Sequence, residues 1–178
     1  MRTAVSMVGG AMLILMAMAS SAPAQTAAGA EARLKELNIT LPPDSVPAAN
    51  FVNAVQTGKL LFLSGNTPGG QWPLKGKVGK DLTVEQGYQS ARQCGLIMLG
   101  KIRTALGSLD RVKRIVKVLG MVNSADGFSD QPRVVNGFCD LMVEVFGESI
   151  GKHARSAVGM AGLPGNAAVE VEMIVEVE

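Results

Sequence analysis

His153 to Glu178, HARSAVGMAGLPGNAAVEVEMIVEVE, is the stretch on which the fold turns. Its last residues alternate: Val169, Val171, Met173, Val175 and Val177 on one side, Glu170, Glu172, Glu176 and Glu178 on the other. Successive strand side chains point to opposite faces, so this is a strand with one apolar face. Arg155 to Met160 reads as a second short strand, and Leu163-Pro164-Gly165-Asn166 as the turn between them. If the two fold back on each other, Arg155 and Glu170 are held near one pocket. That pairing suits a small anionic substrate: a guanidinium grips a carboxylate through two parallel hydrogen bonds, and the Glu handles a proton.

Working outward, Glu31 to Leu37 has the makings of a short helix, ended by Leu41-Pro42-Pro43-Asp44. Phe51 to Gln56 and Lys59 to Ser64 read as a hairpin through Thr57-Gly58. Gly65 to Lys80, with five Gly and two Pro, is a loop. Thr83 is placed as the N-cap of a helix carrying Tyr88, Ala91, Gly95, Met98, Ile102 and Leu106 at helical spacing, closed by Gly107. After the connector Leu109–Val112, Arg114 to Asn123 is a strand, with Val116, Val118 and Val122 on one face and Ile115, Leu119 and Met121 on the other. Ser129-Asp130-Gln131-Pro132 opens a second helix whose stripe is Val134, Val135, Phe138, Leu141, Met142, Val145 and Phe146, ended by Gly147.

The order strand-strand-helix-strand-helix-strand-strand predicts an α+β fold: one mixed sheet with two helices packed on one face. The other face, with Ile115, Leu119 and Met121, then needs a second subunit to cover it.

The N-terminus reads differently from the rest. Arg2 is the only charge before Glu31, Ala11 to Ala19 is unbroken apolar sequence, and Ala22-Pro23-Ala24 is a small-residue cleavage site. These are the parts of a secretory signal peptide, residues 1–24, and the apolar core is too short for the roughly 20 residues of a membrane span. Residues 25–32 are expected to be a mobile leader, residues 33–178 the folded domain, and the protein periplasmic or secreted, with no membrane attachment after cleavage. Loss of residues 1–24 removes one cation and no acid, leaving 16 Lys+Arg against 15 Asp+Glu. That balance gives no electrostatic case for nucleic acid or an anionic membrane. The basic cluster from Lys101 to Lys117 has no interleaved aromatics and reads as solvated surface.

Several chemistries find no support. His153 is the sole histidine and lacks a second and third ligand for zinc; it reads as a surface or hydrogen-bonded residue. Cys139 lies mid-helix among apolar neighbours, so a Cys–His or Ser–His nucleophile is poorly supported. The glycine-rich loop lacks a phosphate-cradling motif. Cys94 and Cys139 read as buried free thiols, a disulfide staying open in an oxidising compartment.

Arg155-Ser156, Val158, Leu163-Pro164 and Val169-Glu170-Val171-Glu172 resemble the signature of the RidA (YjgF, reactive-intermediate imine deaminase) family. Leu61-Phe62-Leu63-Ser64-Gly65-Asn66-Thr67-Pro68 is similar to that family's early strand ending in Ser-Gly, and Val135-Asn136-Gly137-Phe138 to its second helix with a pocket-facing Asn. The resemblance runs from about Arg33 to Glu178. It implies a chorismate mutase-like fold, a homotrimer with pockets at the subunit interfaces, and hydrolytic deamination of small enamine or imine acids to 2-keto acids and ammonia. It further implies that Arg155 grips the substrate carboxylate, that Glu170 activates or orients water, and that Asn136, Ser64, Gly65 and Phe51 line the pocket. No metal or organic cofactor is implied, since an iminium carbon is already electrophilic. Two positions depart from the family: Phe51 stands where many members have Tyr, and Ala157 where several have Cys. The alternative is a non-catalytic binding module for small carboxylates or keto acids; the ribonuclease activity attached to the family name finds no support in charge or stacking aromatics.

Overall fold

In the computed structural model, residues 29–47 and 49–178 are described. The expected signal peptide and cleavage site, with most of the expected leader, lie outside them. Among the described residues five strands form one sheet: β1 (Ala54–Thr57), β2 (Leu60–Asn66), β3 (Val112–Asn123), β4 (Ala154–Met160) and β5 (Val169–Val177), in the order β1-β2-β5-β3-β4. β3 and β4 run parallel; the other pairs are antiparallel. Helices α1 (Ala30–Glu36), α2 (Val84–Leu106) and α3 (Gln131–Gly151) accompany it. The fold is α+β with a mixed open sheet, as expected.

The alternation of the last strand is realised in full. Val169, Val171, Met173, Val175 and Val177 are all buried, and β5 is the middle strand. α2 and α3 pack over this face, bringing Met98, Leu99, Ile102, Phe138, Leu141 and Met142 into the core fully buried. The two helices approach so closely that a Cβ on Gly137 would run into the Tyr88 carbonyl. α2 starts with a reciprocal capping box, Thr83 Oγ1 accepting from Gln86 N–H and Gln86 Oε1 from Thr83 N–H, and ends at Gly107 with φ 82°.

Four expectations are corrected. Strands β4 and β5 do not pair with each other: β4 runs beside β3, which lies between it and β5. The parallel β3–α3–β4 crossover carries β4 past β3 to the sheet edge. The assignment of faces on β3 also changes. An irregularity in the β3–β5 register between Ile115 and Lys117 puts Ile115 on the buried face with Val118 and Val122, leaving Val116 exposed and Leu119 and Met121 outward. A single extra residue inverts the alternation on one side of it. α3 does not stop at Gly147, whose φ of 74° and ψ of 170° break the helix; one further turn follows, to Gly151. Finally, α1 begins at Ala30, inside the span read as leader, where Ala30 is buried. Glu31 accepts two hydrogen bonds from Arg103, at 3.0 and 2.7 Å, and one from Leu109 N–H at 3.0 Å.

Candidate functional site

The expected site residues fall into two clusters. The first lies between α3 and the free edge of β4. Arg155 Nη1 donates to Asn136 Oδ1 at 2.7 Å, with longer contacts to the Pro132 carbonyl at 3.4 Å and Cys139 Sγ at 3.5 Å. Nε and Nη2 of Arg155 make no hydrogen bond among the described residues, so one edge of the guanidinium is held and the other is open to solvent. Asn136 sits on the exposed side of α3, one position from the buried Val135 and Gly137, which fixes its amide toward β4. Arg155 also takes no part in an ion pair with Glu170 or Glu172.

The second cluster lies on the sheet face opposite the helices, where β2 meets β5. Glu170 is half-buried there, its carboxylate lying over Gly65 so closely that a Cβ at Gly65 would overlap Oε1. Glycine is the residue that leaves this carboxyl its space. Burial and the neighbouring Glu172 carboxylate push the Glu170 carboxyl above its ordinary value. Ser64, next along, has its hydroxyl donated to the Val52 carbonyl at 2.7 Å and its N–H to the Asn53 carbonyl at 3.0 Å. Phe51 precedes β1, which begins three residues later than expected, and is 55% exposed.

Within one chain the two clusters do not meet. Arg155 pairs in register with Val118, whose side chain faces the helices; Glu170 pairs with Met121, on the outward face. Residues paired across a sheet share a face, so Arg155 and Glu170 point to opposite sides. Two strand spacings and three residues separate their backbones, roughly 14 Å.

Cys139 and His153 were not among the expected site residues, yet they come together beside Arg155. His153 Nε2 lies 3.2 Å from Cys139 Sγ, and Nδ1 is 2.6 Å from the Gly151 carbonyl. Both cysteines are free; Cys94 is buried in the core and Cys139 half-buried. Burial pushes the Cys139 thiol up, against the Arg155 hydrogen bond and charge. Burial also pushes the His153 imidazole down, opposed by the Gly151 carbonyl and reinforced by Arg155. The helical turn after Gly147 returns the chain toward Cys139, and Gly147 conceals that turn in the sequence by reading as a helix end. No group of three or more His, Cys, Asp or Glu side chains among the described residues is placed to hold a metal ion.

Residues 31–177 match the family model described as "YjgF/chorismate_mutase-like, putative endoribonuclease". The chain is a member of the YjgF (RidA) family. Protein TCP17 of Trypanosoma cruzi is 47% identical to it over 149 residues, which is 82% of this chain and 92% of that protein. Among solved structures, a protein of unknown function from Agrobacterium tumefaciens superposes with a TM-score of 0.76 at 41% identity, over 84% of this chain and 93% of that one. A Shewanella oneidensis protein described in the same endoribonuclease terms gives 0.80 at 29% identity, over 84% and 100%. In this YjgF-family chain Arg155 and Asn136 lie at the β4 edge, and Ser64, Gly65 and Glu170 lie where β2 meets β5.

Proposed function

We propose that the protein hydrolyses small enamine or imine acids to 2-keto acids and ammonia, as a homotrimer whose pockets form between copies. The observation that carries this reading is the half-held guanidinium of Arg155, with Nη1 fixed by Asn136 and its other edge free to take a carboxylate in two-pronged fashion. Glu170 supplies the other requirement. A carboxyl with a raised affinity for protons is a better base than an exposed one, and this one lies against the Gly65 backbone. Water adds to the imine carbon, giving up a proton to Glu170. The proton passes to nitrogen, and the tetrahedral adduct collapses to the keto acid and ammonia.

Opposite faces of one sheet are reconciled by assembly. β4 and β1 are the two free edges, and the outward face exposes Phe62 (40%) and Val55 (55%) beside Leu119 and Ile174, lining a groove of about 400 Å³. An unpaired apolar face of this kind is what a copy of the same chain would cover. With a second copy packed over this face, the Ser64–Gly65 backbone and Glu170 of one copy meet Arg155 at the free β4 edge of the next. With residues 1–24 as a signal peptide, the enzyme works outside the cytoplasm.

Non-catalytic binding of small carboxylates is the second reading, favoured by the separation of Arg155 from Glu170 within each chain. Freshly generated imino acids offered to the purified protein separate the two: ammonia release above the uncatalysed rate supports the hydrolase, and carboxylate binding without release supports the binder.

A further inference from the structure

The cluster at the β4 edge holds a complete set of parts for covalent chemistry. The Gly151 carbonyl can only accept, so His153 Nδ1 carries the proton and Nε2 presents its lone pair to the Cys139 thiol at 3.2 Å. The Phe138 ring meets the imidazole edge-on at 84°, with centroids 6.4 Å apart, which holds the ring in that orientation. Arg155 Nη1 reaches the same sulfur at 3.5 Å. These three side chains line one open cavity of about 380 Å³ with Asp140, Val143 and Lys152. Of the other charges there, Asp140 accepts the Tyr88 hydroxyl at 3.0 Å and Lys152 pairs with Glu148 at 2.9 Å, which leaves Arg155 the cation with a free edge.

We propose that Cys139, His153 and Arg155 form a thiol capture site for small electron-poor α,β-unsaturated carboxylates, of which acrylate is the simplest. Arg155 holds the carboxylate. Cys139 Sγ bonds to the β-carbon as its proton moves to His153 Nε2, the C=C pair shifts to the α-carbon, and that carbon takes the proton back from His153. Thiol and alkene give a thioether with no other reactant consumed, and the reverse elimination restores both. A neutral thiol beside a neutral imidazole is the resting state this requires, the base acting only as sulfur attacks. The proposal rests on the carboxylate grip of Arg155 in the reading above, but it is read on the sulfur and not on turnover, so either can fail alone.

Two alkylating probes test it on the purified protein, with the modified residue located by peptide mass spectrometry: anionic iodoacetate and neutral iodoacetamide. Each rate is scaled to that of free cysteine. Cys139 should react with iodoacetate on the order of tenfold faster than with iodoacetamide on that scale, from the charge of Arg155. Arg155→Ala should remove the preference, Arg155→Lys should keep much of it, and His153→Gln should slow both probes several-fold. Acrylate should then give a Cys139 adduct of the added mass in the wild type. Cys94, wholly buried, should stay unlabelled in every variant that is folded, so its labelling marks a variant to discard. Equal scaled rates for the two probes, or a His153→Gln protein that reacts as the wild type does, would overturn the proposal.

Discussion

Arg155 Nη1 stands 2.7 Å from Asn136 Oδ1, a hydrogen bond from β4 to α3 that fixes the guanidinium on one edge and leaves the other open. Because Asn136 sets direction while Arg155 supplies charge, their substitutions should differ in kind. Arg155→Ala should abolish binding of small carboxylates with the fold intact, and Arg155→Lys should rescue only part of it, since a point charge cannot reproduce a planar fork. Asn136→Ala should weaken binding by a few-fold, in keeping with about 1 kcal/mol for one hydrogen bond. Calorimetry on the three variants checks this; equal affinity in wild type and Arg155→Ala would mean that the Arg serves only the α3–β4 contact.

His153 gives the protein a defined response to acid. Burial lowers its folded-state pKa and Arg155 adds to that, with the Gly151 carbonyl opposing; Cys139 faces its other nitrogen. Below the ordinary histidine value the unfolded chain takes up a proton that the folded chain resists. Stability should therefore be lost as pH falls through and below that value, and regained as pH rises above it. Melting temperatures of wild type and His153→Gln should diverge across this interval, the variant losing less on acidification. Parallel curves would contradict the assignment.

How much was legible in the sequence depends on the range of the information. The burial of Val169 to Val177, the α2 cap at Thr83 and the α3 stripe from Val134 to Phe146 are local periodicities, and they hold. The position of β4 is not local. Arg155 and Glu170 are close in sequence and each follows the strand pattern, but nothing in that pattern says that β3 lies between them. Ile115 was assigned to the wrong face because one extra residue before Lys117 reverses the alternation. The pairing of Cys139 with His153 depends on a helical turn beyond Gly147, a glycine whose positive φ breaks the helix without ending it.

Assembly is the next expectation. The outward face with Phe62, Leu119 and Ile174 should be covered by other copies, so light scattering or sedimentation should report a trimer. Phe62→Glu, which places a charge on that face, should shift the protein toward monomer while its helical signal persists. A stable wild-type monomer at micromolar concentration would remove the shared pocket.

The chain isolated from fractionated cells should begin at or near Gln25, following Ala22-Pro23-Ala24. N-terminal sequencing decides it, and an intact Met1 in the cytosolic fraction would refute export.

The most direct test of the deaminase reading is Glu170→Gln, which keeps the size and polarity of the side chain and removes its basicity. Turnover of a freshly generated imino acid should fall by about 10²-fold or more, with carboxylate affinity little changed. Unchanged turnover in the Gln variant would mean that water is activated elsewhere, and absence of turnover in the wild type would leave the protein a binder.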